Sequence, residues 1–193
     1  MGLILIDPAV TLPVELAELK LHCGVEDNSF DTLLTTQLKA AIAHVEQVLD
    51  RALGTQTWQL ALDEFADVIE LPRGPVLEIV TDGFAYLDSA GTERAVPAEI
   101  YTLDMVSNPQ RVVRNADESW PTDVSDRVNA VTITFQAGYT SSTLPHDLKQ
   151  AVLMLAAHWF ENRSAVNVGN IANQLPLGFH ALLQPHRQLW VCG

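Results

Sequence analysis

The sequence predicts an α+β fold in which a helical core is interrupted by an antiparallel β-sandwich or barrel-like insertion. Two stretches, residues 29–53 and 144–163, place apolar side chains at three- and four-residue steps, which is typical of amphipathic helices. Between them the apolar period falls to two, which indicates strands. We therefore expect the two long helices to pack together, with a β-rich region between them in the chain.

Residues 144–163, LPHDLKQAVLMLAAHWFENR, form the most strongly patterned stretch. Pro145 stands where a first-turn proline is tolerated, because the first N–H groups of a helix lack helical partners. Leu155, Trp159 and Phe160 belong to one apolar face that alanines widen further. A face this wide requires cover on more than one side.

The other predicted helices lie at the two ends of the chain. A short helix over residues 13–23 is predicted to end at Gly24, after an extended lead-in over residues 1–12. The long helix over residues 29–53 is predicted to end at Gly54. A last short helix begins near residue 175, beyond a small and polar link over residues 164–174.

About seven short strands are predicted within the insertion, separated by turn sequences such as Asp82-Gly83 and Asn108-Pro109. The predicted strands are 57–62, 68–71, 76–80, 84–87, 100–103, 111–114 and 131–135. The resulting domain prediction is a helical core over 11–54 and 144–163, a β-rich insertion over 55–140, and a mobile link with a C-terminal docking helix over 164–193.

Large apolar residues near the C-terminus lack obvious cover within the chain, which predicts contact with another subunit or protein. Together with part of the long helix they give the predicted interface set: Leu155, Trp159, Phe160, Leu177, Phe179, Leu182, Leu183, Leu189 and Trp190. Deleting residues 175–193 is expected to abolish partner binding and to leave the fold intact.

Charge and motifs favour a structural or binding role. The net charge of −13 argues against a sequence-independent DNA binder, since such binding depends on Lys and Arg neutralising phosphates. Phosphate-binding glycine loops and nucleophile-elbow motifs are absent from the sequence. One candidate metal site is the pair His158 and Glu161, for which a position on a helix surface is the simpler interpretation. The other is the acidic group Asp63, Glu64 and Asp67, for which a solvated turn is the simpler interpretation. We predict no catalytic residue, metal or cofactor.

Five blocks in this order resemble the phage head–tail connector, or adaptor, family known as gp6-like or phiE125 gp8-like, which includes relatives in gene transfer agents. The blocks are VELAELKLHCGV, VEQVLDRALGTQTWQLALDEF, IELPRGPVLEI followed by VTITFQAGYTS, LPHDLKQAVLMLAAHWFENR, and LPLGFHALLQPHR. The resemblance spans about residues 11–190, nearly the whole chain. Two residues depart from the family pattern. Glu15 stands where a Thr-type helix cap is usual, and Gly24 stands in a place that is often basic.

The resemblance implies a virion structural protein at the head–tail interface, made in the bacterial cytoplasm. It implies a ring of about twelve subunits beneath the portal protein, a surface for the next tail component, and DNA that only passes through the channel, without sequence-specific binding and without a membrane. Two alternatives remain open: a tail-completion or stopper protein, and a small metal-dependent hydrolase using Asp63, Asp67 and nearby histidines.

Overall fold

The computed structural model of the protein describes residues 1–162 and 177–187. It contains two compact units: a β unit, formed by Met1–Thr11 and Gly54–Gly138, and a helical unit, formed by Leu12–Leu53 and the described residues after Gly138. The predicted α+β class is confirmed. Among the described helices, none has both the length and the apolar character that crossing a bilayer requires. The predicted link over 164–174 lies outside the described residues.

Four α-helices build the helical unit. They are α1 (Leu16–Cys23), α2 (Asp31–Leu49), α3 (His146–Glu161) and α4 (Leu177–Leu183), and a 3₁₀ turn (Gln184–His186) follows α4. Helix α3 packs against α2, α1 and α4, and one apolar cluster joins all four helices. Its fully buried members include Leu19, Leu34, Leu38, Val45, Leu49, Leu148, Ala151, Val152 and Ala156.

Left-handed residues end the first two helices. Gly24 has φ 67° and ends α1, as the sequence predicts. The prediction that Gly54 ends the second helix is wrong, because Asp50 takes φ 54° and closes α2 four residues earlier. The side chain of Glu46 then accepts a hydrogen bond from the Leu53 N–H at 2.8 Å, which holds the turn that follows α2.

The β unit contains two antiparallel sheets. The strands are β1 (Gly2–Asp7), β2 (Gln56–Leu62), β3 (Val68–Glu70), β4 (Val76–Leu87), β5 (Glu93–Ala95), β6 (Tyr101–Asp104), β7 (Arg111–Arg114) and β8 (Val131–Ala137). The five-stranded sheet has the order β1-β2-β8-β4-β5, and the three-stranded sheet has the order β3-β7-β6. The described residues form no closed barrel, so the barrel-like alternative is not what this unit adopts.

The sheets differ from the sequence prediction at β4, which is one long strand and has no turn at Asp82-Gly83. The pairing with β8 shifts register between Ile79 and Phe84, and Asp82 takes φ 55° within this irregularity. A Cβ on Gly83 would lie 2.6 Å from the Thr134 carbonyl oxygen, so only glycine allows the backbone this close to β8.

Aromatic rings fill the space between the two sheets. The ring centroids of Phe84 in β4 and Tyr101 in β6 are 5.0 Å apart, and Phe65 stacks on Trp120 at 4.9 Å. The indole N–H of Trp120 donates to the carbonyl of Ala66 at 3.0 Å. Trp120 therefore anchors the β unit through its aromatic neighbours and its indole hydrogen bond.

Backbone contact closes the point where the chain enters and leaves the β unit. Gln56 at the start of β2 pairs with Ala137 at the end of β8. Gly138 follows at φ 120°, and a Cβ there would lie 2.0 Å from the Gly54 carbonyl oxygen. The two ends of the insertion therefore meet, and glycine is required at position 138 for both conformation and space.

Two glycines with positive φ allow a test of this closure. Gly24 also has positive φ, but a Cβ there meets no atom within 4 Å. We expect Gly24→Ala to lower the free energy of unfolding by about 1–2 kcal/mol, the cost of left-handed backbone for a residue with a Cβ. Gly138→Ala should cost clearly more, as measured by urea denaturation, because the added methyl also overlaps the Gly54 backbone. Equal losses would contradict the close approach.

Candidate interaction surfaces

The predicted interface residues of α3 have different environments. Leu155 is 1% exposed and belongs to the core of the helical unit. Trp159 and Phe160, at the end of the helix, are only half-buried. Phe160 meets Phe30 edge-on with centroids 5.5 Å apart, and Trp159 meets His44 at 6.1 Å. The half-buried rings can gain further cover from another protein, whereas Leu155 has no surface left to offer.

The predicted interface residues of α4 are partly covered by their own chain. Phe179 and Leu183 are 1% and 3% exposed and belong to the same apolar cluster as α2 and α3, and Leu182 is half-buried against it. The expectation that these residues lack cover within the chain is therefore wrong for Phe179 and Leu183. The reason is that α4 lies on the helical core, so deleting residues 175–193 would uncover that core. The structure does not describe three further members of the predicted set: the Leu177 side chain, Leu189 and Trp190.

Polar contacts hold the end of α4 on the helical unit. The Arg51 guanidinium donates from Nε to the carbonyl of His186 at 2.6 Å. His186 Nε2 is hydrogen-bonded to the carboxylate of Asp147 at the start of α3. Burial opposes ionisation of Asp147, but the hydrogen bonds from His186 and from the Leu148 N–H outweigh it and lower the pKa of this carboxyl group. The 3₁₀ turn after α4 is thus attached to the start of α3 and to the segment that follows α2.

The acidic residues considered as metal ligands have structural partners. Asp63 accepts a hydrogen bond from the Asn129 N–H at 2.8 Å, and Asp67 pairs with Arg114 at 3.0 Å. Within residues 1–162 and 177–187, no group of three or more His, Cys, Asp or Glu side chains is arranged to hold a metal ion. These carboxylates therefore tie loops of the β unit together.

A pocket along β3 was not predicted, because its lining comes from separate parts of the sequence. It has a volume of about 540 Å³. Its apolar lining consists of Met1, Leu62, Ala66, Val68 and Ile69, and its acidic rim consists of Asp63, Glu64 and Glu70. We call it the β3 pocket. Met1 is 78% exposed and Val68 is 44% exposed, so part of this apolar surface faces solvent.

A second unpredicted surface is the turn between β6 and β7. Val106 is 97% exposed and Met105 is 51% exposed. We call these two residues the apolar tip. A sequence signal was present, because two adjacent apolar residues in a turn bounded by Asp104 and Ser107-Asn108-Pro109 lack the alternation of a strand.

Hydrogen bonds to one carboxylate bridge this turn. Asp104 accepts from the Ser107 hydroxyl at 2.6 Å, from the N–H groups of Ser107 and Val106, and from Arg111 Nε at 2.9 Å. The hydroxyl and backbone bonds of Ser107, followed by those of Arg111 and Val106, hold the pKa of Asp104 far below its usual value. On the other side of the turn, Gln110 donates to the Met105 carbonyl at 3.3 Å. These bonds fix the backbone on both sides of the apolar tip.

A family model described as "Phage gp6-like head-tail connector protein" matches residues 13–95 and 110–187 of the chain. No curated protein matches it significantly.

Solved structures of gene transfer agent (GTA) particles contain similar chains. A chain in "Neck of empty GTA particle computed with C6 symmetry" superposes with a TM-score of 0.79 at 29% identity, covering 100% of this chain and 98% of that chain. A chain in "Virion of native gene transfer agent (GTA) particle" gives the same values. A chain in "Neck of native GTA particle computed with C12 symmetry" has a TM-score of 0.78 at 30% identity, with the same coverage.

Two substitutions in α3 separate a core position from a surface position. Leu155→Ala should lower the free energy of unfolding by about 2–5 kcal/mol, the usual cost of removing a buried leucine side chain. Trp159→Ala should cost less, because the half-buried ring already contacts solvent. Urea denaturation of the two variants measures both changes, and a larger loss for Trp159→Ala would show that this ring belongs to the core.

The bonds of Asp104 predict a pH-dependent contribution to stability. Since the folded pKa is lowered, the contribution is complete above the ordinary aspartate pKa of about 3.9 and is lost as the pH falls toward the folded value. Asp104→Asn should therefore unfold at lower urea than the wild type at pH 7, and the difference should shrink below about pH 4. Asp117→Asn, at an exposed position, is the control and should match the wild type throughout. A gap that persisted undiminished to pH 2 would contradict the assignment.

Proposed function

The chain belongs to the family of phage gp6-like head–tail connector proteins, and from that premise we propose that it forms a ring beneath the portal, extends the DNA channel and joins the capsid to the tail. The observation that carries this proposal is the family match over residues 13–95 and 110–187, together with the likeness to chains in the neck of a GTA particle. The ring, the portal and the channel are the parts of the proposal that experiment must test.

A ring of twelve copies is the assembly that the comparisons support best. One similar chain comes from a neck computed with C12 symmetry, and another from a neck computed with C6 symmetry, which is contained in C12. A closed ring requires two different surfaces on each subunit, because its contacts are head-to-tail.

The charge of the chain supports a channel through which DNA passes without binding. Most of the net charge of −13 belongs to the β unit, where residues 1–11 and 54–138 contain fifteen acidic and five basic residues. Acidic surfaces repel phosphate, so DNA crossing such a ring would meet few attractive contacts.

The portal contact is proposed for one end of α3 and for the C-terminal tail. Trp159, Phe160 and Leu182 are half-buried within the chain and keep apolar surface for a partner. Leu189 and Trp190 add two large apolar side chains beyond the described residues. Aromatic residues contribute disproportionately to protein interfaces, which makes the two tryptophans the main candidates.

We further propose that the protein has no enzymatic activity. The family is one of structural virion proteins, and Asp63 and Asp67, the residues that a hydrolase would need, are engaged by Asn129 and Arg114. Metal-dependent turnover that is lost in Asp63→Ala would contradict this.

Electron microscopy of the full chain mixed with the portal protein of the same particle tests the proposed role. We expect a ring of about twelve copies attached to one end of the portal. A ring that binds the tail and never the portal would indicate a tail-completion or stopper protein instead. Absence of any ring, with portal or tail, would overturn the proposal.

Portal binding should depend on the C-terminal apolar residues. Leu189→Ala combined with Trp190→Ala should weaken binding to portal rings at least about tenfold, since truncating interface anchors commonly has effects of this size or larger. Gln188→Ala serves as the neighbouring control and should bind like the wild type. Sedimentation of each variant with portal rings measures the effect. Equal binding of the double variant would remove the tail from the portal contact.

A further inference from the structure

The free edge of β3 opens onto the β3 pocket. β3 is an edge strand, because the three-stranded sheet has the order β3-β7-β6 and, among the described residues, no strand pairs with β3 on its other side. Val68 and Glu70 are exposed, and both residues line the pocket. An edge strand that borders an open cavity can accept a further strand from outside the chain.

Backbone groups of β3 point to this edge. The N–H of Leu71 donates to a carbonyl at the start of β7 at 2.8 Å, and the carbonyl of Asp67 accepts from an N–H at the end of β7 at 3.2 Å. Hydrogen bonding to one neighbour alternates along an antiparallel strand, so the N–H and C=O groups of Val68 and Glu70 point away from β7. An added strand would therefore find donors and acceptors from both residues at the mouth of the pocket.

A second hollow extends the β3 pocket. It has a volume of about 510 Å³ and is lined by residues 124–128 together with Asp63 and Glu64, which also line the β3 pocket. The two hollows therefore adjoin along these two acidic residues, and we call them together the β3 groove. Val128 in the second hollow is 77% exposed, so apolar surface is available in both. Each volume lies within the range of about 300–1,000 Å³ that is typical of binding pockets. The groove therefore has room for an extended segment.

Charge in the β3 groove favours a basic occupant. The acidic side chains of its lining are Asp63, Glu64, Glu70 and Asp126. Arg127 is the one basic side chain in the lining. Arg111, the cross-strand neighbour of Glu70, is already paired with Asp104 at 2.9 Å. Complementary charge steers and selects binding partners, so a segment that carries Lys or Arg is favoured here.

The same charge disfavours a second copy of the chain as the occupant. The net charge is −13, and residues 1–11 and 54–138 contain fifteen acidic and five basic residues. A strand from another β unit would bring further carboxylates to an acidic rim, and like charges repel. Charged side chains commonly protect edge strands from unwanted pairing. Glu70 thus opposes the approach of acidic strands and leaves the edge open to basic ones.

We propose that the β3 groove binds an extended segment of another protein, in which apolar and basic residues alternate, and that this segment adds as a strand to the free edge of β3. Its backbone pairs with Val68 and Glu70, its apolar side chains contact Leu62 and Ala66, and its basic side chains meet Glu64 and Glu70. The inference goes beyond the connector role, since it gives the chemistry of a partner, and it does not depend on ring formation.

A short fluorescein-labelled peptide in which valine and lysine alternate tests the site on the full chain. Fluorescence anisotropy should show saturable binding that weakens as salt is added, because the acidic rim is exposed and salt screens its charge. A second peptide, in which glutamate replaces every lysine, should not bind. Equal binding of the two peptides, or binding of neither, would overturn the proposal.

Charge reversals in the chain locate the binding site. Glu64→Lys and Glu70→Lys should each weaken binding of the lysine peptide at least about fivefold, because each replaces an attraction with a repulsion. Glu93→Lys is the matched control, since Glu93 is also exposed in an edge strand, β5 of the other sheet, and this variant should bind like the wild type. Thermal unfolding verifies that all three variants fold. An equal loss in the control would indicate unspecific attraction to an acidic protein and would overturn the site.

Backbone methylation of the peptide tests strand addition without any change to the chain. One lysine peptide carries N-methyl groups on its valines, and another carries them on its lysines. A strand pairs with its neighbour through the N–H groups of alternate residues, so one of these peptides should bind like the parent. The other should bind at least about tenfold more weakly, since it loses its hydrogen bonds to β3. Unchanged binding of both peptides would overturn strand addition.

Sedimentation velocity of the chain without peptide tests a second copy as the occupant. Self-association that is lost in Glu70→Lys, with peptide binding unchanged, would assign the groove to another copy and overturn the proposal. None of these measurements involves the portal or a ring. Failure of the peptide experiments therefore leaves the connector proposal standing, and failure to form a ring leaves the groove and its partner standing.

Discussion

The packing of α3 against α2 is the interaction on which the helical unit depends. The two helices are separated in sequence by residues 54–138 of the β unit, so neither helix can bury its apolar face until distant parts of the chain meet. Leu38, Val45, Leu148 and Val152 lose all solvent exposure in this contact, and α1 and α4 cover what remains. The energy released by this burial offsets the entropy of closing the long loop, which grows only slowly with loop length. The wide apolar face of α3 is explained by this arrangement, since a single neighbour could not cover it.

Helical periodicity was sufficient to predict this packing, and local chemistry was sufficient for several boundaries. The order of five sequence blocks also predicted the connector family, which the family match confirms. The end of α2 was missed because Asp50 adopts a left-handed conformation that glycine would ordinarily supply. The length of β4 was missed because Asp82-Gly83 has turn composition, whereas pairing with β8 keeps the strand continuous. At β4 a tertiary contact decided between conformations that the local sequence allowed.

The interaction surfaces were less predictable than the fold. The interface prediction, made from apolar content alone, included Phe179 and Leu183, which are buried by their own chain. Composition does not tell whether an apolar side chain is covered by its own chain or by a partner. The β3 pocket was invisible in sequence, since Met1, Leu62 and Val68 come together only when β1, β2 and β3 have formed. The apolar tip depends on Asp104, whose carboxylate bonds with residues two to seven positions ahead and can be recognised only from geometry.

The meeting of Gly54 and Gly138 has a consequence for how such a chain can vary. Because β2 and β8 pair along their full length and end side by side, the inserted part of the β unit, residues 54–138, begins and ends at nearly one point. A module whose ends coincide can be enlarged, shortened or exchanged without altering the spacing of the helices that flank it. Diversification of residues 54–138 and preservation of the helical scaffold are therefore separable in evolution and in engineering.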